Sequence, residues 1–398
     1  MNGMRINSFF FCFLISALGW SQANVIFKDR NYFEAQNEAR EKNKPLVVMF
    51  YANWCEHCKK MKSSVLQDTD VVLFYAQNYI TVAIDAESDA GSALKQKFKN
   101  DCKVRSYPTF AYFSSKEVYW GGFSGEIKKE SFIEQGTKLL QPENQLPQLK
   151  AAFEANVNNP EACLKYITAI RKAGFDATSI TQRYLKTVPK ENLFTELNWR
   201  IIANGINTVE APEFQWIIDY QKEFGQAASP QRVEKKIIFT VQDNLRSAAD
   251  ALDTLNYRKK RVFVEKIQWR KTDSLVYKYD TQLYASVQDW KRYQQVTLEK
   301  TDTFAAKDAN QLIENASVYL NYIQQPDALR KAITWVDKAI ALSENAEKHL
   351  VKAKLYLKLK DRTQALQAAE TAKKWSEQMG WSSAESDTII KEIKAAKL

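Results

Sequence analysis

Cys55 and Cys58 flank Glu56 and His57, and this pair is the strongest chemical signal in the chain. A loop closed over so few residues restrains the unfolded state little, so the pair makes a poor structural staple. It suits exchange chemistry, in which a thiolate attacks a disulfide sulfur and a second thiol stands ready to resolve the mixed disulfide. The thiolate is the reactive form, so such a site needs surroundings that depress a thiol pKa. A helix N-terminus does so through unpaired backbone N–H groups and a partial positive charge. Cys58, Met61 and Val65 recur at helical spacing, which predicts a helix opening at the cysteine pair.

Three further cysteines carry weaker signals. Cys12 lies in an apolar leader. Cys102 and Cys163 either bridge one another or stay as buried free thiols, which behave as small apolar side chains. His57 and His349 are the only histidines. With no second Cys/His cluster, a structural zinc site is not expected, and neither is a cofactor.

The elements that must position the pair follow from hydrophobic pattern. Asn31 to Lys42 reads as an amphipathic helix. Leu46 to Tyr51 is a continuous run of β-formers, as for a strand buried on both faces, and it empties into the cysteine segment. Asp68 or Asp70 caps a helix through Gln77. Tyr79 to Ile84 is a strand and Ala90 to Phe98 a helix. Thr109 to Phe113 and Val118 to Trp120 form a hairpin around Ser114, Ser115 and Lys116. Gly121, Gly122 and Gly125 mark the turn after it, and Glu130 to Leu140 is a closing helix. That order implies a mixed central sheet flanked by helices.

The N-terminus reads as a secretory signal peptide: Arg5, an apolar run from Ile6 to Leu18, then Ser21 and Ala23 at the −3 and −1 positions of a cleavage site. The run is shorter than the ~20 residues a membrane helix needs, so no stable membrane insertion is expected. Pro142 and Pro147 flank a linker. Beyond Leu149 there is no strand alternation, and Pro160, Pro189, Pro212 and Pro230 stand where helices start or stop. Tyr322 and Tyr356 repeat at 34 residues, and Ala332 with Ala365 and Ala339 with Ala372 at 33. Tyr356, Ala365, Ala369 and Ala372 fall at offsets that resemble a tetratricopeptide repeat, in which small residues let paired helices approach closely. The expected organisation is a signal peptide over 1–23, an α/β domain over 24–141, a linker over 142–150, a helical region over 151–310 and degenerate helical-hairpin repeats over 311–398.

Lys44 to Lys59, spanning Pro45, the apolar strand, Trp54 and Cys-Glu-His-Cys, resembles the active-site segment of the thioredoxin-like family, in particular its exported bacterial thiol–disulfide oxidoreductases. Val104-Arg105-Ser106-Tyr107-Pro108-Thr109 is similar to the family's second landmark, the proline loop facing the active site. Gly121-Gly122-Phe123 sits where the family has its late glycine. The resemblance covers about residues 25 to 140.

The resemblance implies a thioredoxin fold and thiol–disulfide oxidoreductase activity, with electron flow in either direction. Cys55 becomes the nucleophile at the helix start and Cys58, a turn deeper, the resolving cysteine, the two forming the redox-active disulfide. Trp54, Glu56 and His57 are expected to tune the couple. A histidine at His57 favours the thiolate in oxidising relatives, whereas Glu56 opposes it. Met49 departs from the family, many of whose members carry a buried acid there that deprotonates the resolving cysteine. Pro108 is expected to follow a cis bond, with Tyr107 offering its backbone to a substrate strand.

The implied partners are protein thiols or disulfides, a redox partner of unidentified nature, and a protein client on the helical region. The implied location is periplasmic or extracellular. The competing reading is a non-enzymatic exported helical-repeat scaffold whose thioredoxin-like domain only binds protein. Composition admits either: 45% apolar and 26% charged residues describe a globular chain, not a disordered one. The net charge of +10 is thinly spread. Arg258-Lys259-Lys260-Arg261 is the one dense basic cluster, which makes nucleic acid an unexpected partner.

Overall fold

The structure is a computed structural model describing residues 26–267 and 269–396. The signal peptide expected over 1–23 lies outside the described residues. Two compact units divide the chain: one runs to Leu193 and takes in Arg200–Gly205, and the other comprises Phe194–Trp199 and the chain from Ile206.

The first unit is built on a four-stranded sheet of β1 (Leu46–Tyr51), β2 (Ile80–Asp85), β3 (Thr109–Phe113) and β4 (Tyr119–Ser124), in the order β2-β1-β3-β4. β1 runs parallel to β2 and antiparallel to β3, and β3 pairs antiparallel with β4. Its helices are α1 (Tyr32–Glu41), α2 (Glu56–Ser63), α3 (Thr69–Asn78), α4 (Asp89–Lys97) and α5 (Lys129–Leu140). Every residue of β1 is buried, as its unbroken apolar run predicts.

Alternation along β1 splits the core in two, because successive side chains leave a strand on opposite faces. Val47, Met49 and Tyr51 join Met61, Tyr75, Phe110 and Phe132 under α2, α3 and α5. Leu46, Val48 and Phe50 join Tyr32, Ala35, Leu94 and Phe98 under α1 and α4. The helix starts are set by side chains that accept orphan backbone N–H groups: Asn31 for α1, Asp68 for α3 and Ser88 for α4.

Two sequence expectations change here. The hairpin's second strand does not stop at Trp120; β4 continues through Gly121 and Gly122 to Ser124. Gly122 pairs with Ala111 of β3, and the position takes glycine because a Cβ there would lie 2.3 Å from the Phe110 carbonyl oxygen. The stretch 142–150 is a 3-10 turn, Pro142–Asn144, followed by the first turns of α6 (Leu146–Ala155). Pro147 is tolerated at the helix start, where its missing N–H would have no partner anyway.

The first core also takes in residues of the helices that follow α5. α7 (Pro160–Lys172) ends at Ala173, whose carbonyl accepts the Lys103 N–H at 2.7 Å. Ala173 itself packs among Phe98, Cys102 and Phe113. α8 (Thr178–Leu185) completes this unit together with part of α9 (Glu196–Gly205).

The second unit is helical throughout its described residues. It contains α10 (Pro212–Asp219), α11 (Gln221–Ala227), α12 (Pro230–Asp250), α13 (Thr254–Glu265), α14 (Arg270–Ser286) and α15 (Trp290–Phe304). It continues with α16 (Ala309–Tyr322), α17 (Pro326–Leu342), α18 (Ala346–Lys358), α19 (Arg362–Gln378) and α20 (Ala384–Ala395). Pro212 and Pro230 begin helices. Ala332, Ala339, Ala365, Ala369 and Ala372 are fully buried. Among the described residues no helix is long and apolar enough to cross a membrane.

Candidate active site

The cysteine segment is where β1 gives way to α2. The Cys55 N–H donates to the Ala52 carbonyl at 3.1 Å, turning the chain out of the strand. Cys55 then caps α2: its backbone is extended, and its Sγ accepts the Cys58 N–H at 3.2 Å. The first sulfur therefore accepts from a first-turn N–H that it shares with the Cys55 carbonyl at 3.1 Å, and a helix start is an environment that favours a thiolate. Cys55 and Cys58 are joined in a disulfide. Cys55 is 4% exposed and Cys58 1%, so both sulfurs are buried.

Met49, fully buried, shares the apolar cluster of the two cysteines with Phe27, Ala52, Met61 and Phe110. Among the described residues from 26 to 141 no Asp or Glu is buried.

The Tyr107–Pro108 bond is cis. Tyr107 packs against the cluster that holds both cysteines, and its ring meets Trp54 edge-on with centroids 6.0 Å apart. Trp54 is 66% exposed, so it projects from the surface and does not cap the core. Its indole Nε1–H donates to Glu87 at 2.8 Å.

Glu56 accepts a hydrogen bond from Lys59 at 2.6 Å and faces solvent. His57 turns to the other side, its Nδ1 3.0 Å from Glu126 Oε2. The second oxygen of Glu126 takes Lys60 Nζ at 2.5 Å. Lys60 first, and His57 after it, hold the Glu126 carboxyl below the usual carboxylate range. Gly125, with φ +98°, donates its N–H to the Pro108 carbonyl at 2.7 Å. Gly125, not Gly121 or Gly122, is thus the glycine that meets the proline loop. An open groove of about 530 Å³ starts at Glu126 and Lys60 and runs between α2 and the start of α5, past Val65 and Ile127.

Sequence reasoning missed Glu126 and Glu87. The one available signal for Glu126 was its place directly after a loop glycine.

A family model for the thioredoxin-like domain matches residues 32–137. Thioredoxin-1 of Drosophila yakuba is 33% identical over 93 residues, 23% of this chain and 77% of that protein. The chain belongs to the thioredoxin-like family. Protein disulfide-isomerase 1 of Caenorhabditis elegans is 31% identical to it over 124 residues, 30% of this chain and 24% of that protein. The chain spans a quarter or less of the length of the protein disulfide-isomerases that head its relatives. A solution structure of a thioredoxin from Thermus thermophilus, 19% identical, covers 29% of this chain and 88% of its own, with a TM-score of 0.27.

In this thioredoxin-like chain Cys102 and Cys163 are both free and buried, so the bridge left open by the sequence does not form. Burial pushes each thiol up to about 12, which leaves both neutral and unreactive. The basic cluster is divided by packing: Arg258 and Lys259 are exposed, whereas Lys260 and Arg261 turn to partners within the unit. Arg261 lies on buried Asp280 and Lys260 donates to Asn244 at 2.9 Å. Among the described residues no group of three or more His, Cys, Asp or Glu side chains is placed to hold a metal ion.

Proposed function

We propose that this protein is an exported thiol–disulfide oxidoreductase that exchanges disulfides with protein substrates through Cys55 and Cys58. The observation that carries the reading is the Cys55–Cys58 disulfide at the first turn of α2, with the Cys58 N–H aimed at Cys55 Sγ. In the reducing direction the Cys55 thiolate attacks a substrate sulfur. One substrate thiolate leaves, and a mixed disulfide forms. Cys58, deprotonated, then attacks Cys55 Sγ, and the second substrate thiolate leaves. Two electrons pass to the substrate, and the Cys55–Cys58 bond is restored. The oxidising direction is the same sequence reversed.

Tyr107 and Pro108 form the substrate-facing edge in this reading, and Trp54, Glu56 and His57 tune the couple. With Met49 where a buried acid would stand, the Cys58 proton is left to water or to a carboxylate outside the strand. Direction follows from the potential: near ~−270 mV the couple reduces like a thioredoxin, and near ~−120 mV it oxidises.

The 1–23 leader directs the chain to a periplasmic or extracellular compartment, and sequencing the mature N-terminus is expected to begin at Asn24. The proposed domain limits are 24–141 for the redox domain and 311–398 for tetratricopeptide-like hairpins, after a helical stretch from 151. The buried alanines of α17 and α19 support close helix pairing there. The helical part recruits or orients a protein client. Equal kcat/KM on a small disulfide and on a client disulfide would contradict that recruiting role. The oxidoreductase reading is tested by equilibrating the full chain in glutathione buffers. Reversible two-electron cycling of Cys55 and Cys58 is expected. A pair that stays inert to glutathione and to mild thiol reagents supports the scaffold reading instead.

A further inference from the structure

The loop that follows β4 carries one carboxylate whose position the redox reading above does not use. Glu126 sits between two anchors. Gly125 before it is hydrogen-bonded to the Pro108 carbonyl, and Ile127 after it packs against the apolar cluster of the two cysteines. The loop is therefore held to the proline loop on one side and to the floor of the redox site on the other. Its carboxylate spans two residues of α2: Oε2 lies 3.0 Å from His57 Nδ1 and Oε1 lies 2.5 Å from Lys60 Nζ. His57 and Lys60 stand three residues apart in α2 and so share a helix face.

Glu126 is the less exposed partner, at 26% of its side chain against 73% for His57 and 68% for Lys60. The carboxylate is the most enclosed of the three groups. The other carboxylates around the pair are engaged elsewhere: Glu56 with Lys59, Glu87 with the Trp54 indole and Asp85 with Asn53. Glu126 alone among them bonds to a side chain lying between the two cysteines.

We propose that Glu126 is a positioning residue of the redox site: it holds His57 and neutralises Lys60, and so keeps the Cys55–Cys58 couple more reducing than its Cys-Glu-His-Cys sequence would otherwise be. The inference rests on the oxidoreductase reading above. Its physical basis is the charge of the reduced state. Reduction of the disulfide places a thiolate at Cys55, and nearby positive charge stabilises that thiolate while nearby negative charge opposes it. With Glu126 in place, Lys60 and His57 share a fixed counter-charge. With the carboxylate removed, both are released and the local field gains one positive unit. The reduced form is then favoured, which is the direction of a stronger oxidant.

The test uses the full-length protein in glutathione redox buffers, with the Cys55 pKa read in parallel from the pH dependence of alkylation of the reduced protein. Glu126→Gln is expected to shift the equilibrium with glutathione toward the reduced protein by about threefold to tenfold, tenfold corresponding to ~30 mV. It is also expected to lower the Cys55 pKa. Glu126→Asp, which keeps the charge, is expected to stay nearer the parent than Glu126→Gln. Adding His57→Ala to Glu126→Gln separates the two routes. A positioning role through His57 makes the shift caused by Glu126→Gln smaller in the His57→Ala background than in the parent.

An unchanged potential and Cys55 pKa in Glu126→Gln, or a shift toward the oxidised protein, overturns the proposal while leaving the oxidoreductase reading intact, provided the parent protein cycles. A parent that fails to cycle removes both. A loss of helix content in Glu126→Gln together with an unshifted couple would assign the residue a purely structural role and also overturns the proposal.

Discussion

The Trp54 indole meets the Tyr107 ring edge-on, with centroids 6.0 Å apart and planes at 68°. One residue precedes the first cysteine and the other precedes the cis proline, so this contact brings together two segments far apart in sequence. It is also exposed: Trp54 presents two-thirds of its surface to solvent. A large aromatic held in place at the rim of a buried disulfide is suited to meeting a partner, with the Glu87 carboxylate fixing its indole N–H.

Trp54→Ala is therefore expected to affect substrate handling more than folding. Aromatic pairs contribute ~0.5–1.5 kcal/mol, so kcat/KM on a protein disulfide should fall about twofold to tenfold. Unfolding free energy should change by less than ~1 kcal/mol, because the side chain is largely outside the core. Steady-state turnover and a denaturant titration check the two halves separately. A large stability loss with unchanged turnover would reassign Trp54 to the core.

Arg261 pairs with the buried carboxylate of Asp280 in the helical unit. Asp280 is fully buried and accepts Arg261 Nε and Nη2, both at 2.9 Å, together with the Tyr257 hydroxyl at 2.8 Å. Arg261→Met leaves that carboxylate buried with one neutral donor. Such uncompensated burial costs ~3–5 kcal/mol. Circular dichroism during urea titration should show the helical signal lost at lower denaturant. Arg261→Met combined with Asp280→Leu should recover much of the loss, since the unpaired charge is then gone.

Alkaline pH should destabilise the first unit through Cys102 and Cys163. Burial raises both thiols from an ordinary value of 9.0 to about 12. Between those values the unfolded chain gives up protons that the folded protein keeps. The stabilisation is thus complete below pH 9 and is lost as pH rises toward 12. Each thiol contributes a slope of up to ~1.4 kcal/mol per pH unit in that window. Thermal melts of Cys163→Ala should show a shallower decline than the parent above pH 9, whereas parallel curves would mean the thiol already ionises in the fold.

The sequence was legible where the determining interactions are local. The apolar run of Leu46 to Tyr51 foretells a strand buried on both faces, and the helical spacing after Cys55 foretells a helix that opens there. The cap could be narrowed to Asp68 or Asp70, of which Asp68 takes it, because capping is a contact across two or three residues. Where distant residues decide, the reading failed. Gly121 and Gly122 have the composition of a turn, yet both pair with β3, and Gly122 lies against the Phe110 backbone on that strand. Pro142 and Pro147 look like linker punctuation, yet Pro147 starts a helix.

Glu126 is 69 residues from His57, and nothing local announces the contact. In the helical unit Tyr322 and Tyr356 match in spacing, but Tyr322 is half exposed, whereas the alanines at matching positions are all fully buried. Small buried side chains mark close packing more faithfully than the tyrosines do. The strand reading of Gly122 has its own check. Gly122→Ala should destabilise the first unit by ~1–3 kcal/mol in denaturant titrations, because its Cβ must displace the β3 backbone; a neutral effect would restore the turn reading.

The central claim is that Cys55 attacks and Cys58 resolves. The most direct measurement is mass spectrometry of full-length Cys58→Ser and Cys55→Ser proteins after exposure to a protein disulfide under non-reducing conditions. Cys58→Ser should accumulate a mixed disulfide through Cys55, because the resolving thiol is gone, while Cys55→Ser should accumulate none. Trapping through Cys58 in the Cys55→Ser protein, with none through Cys55 in the other, would contradict the account.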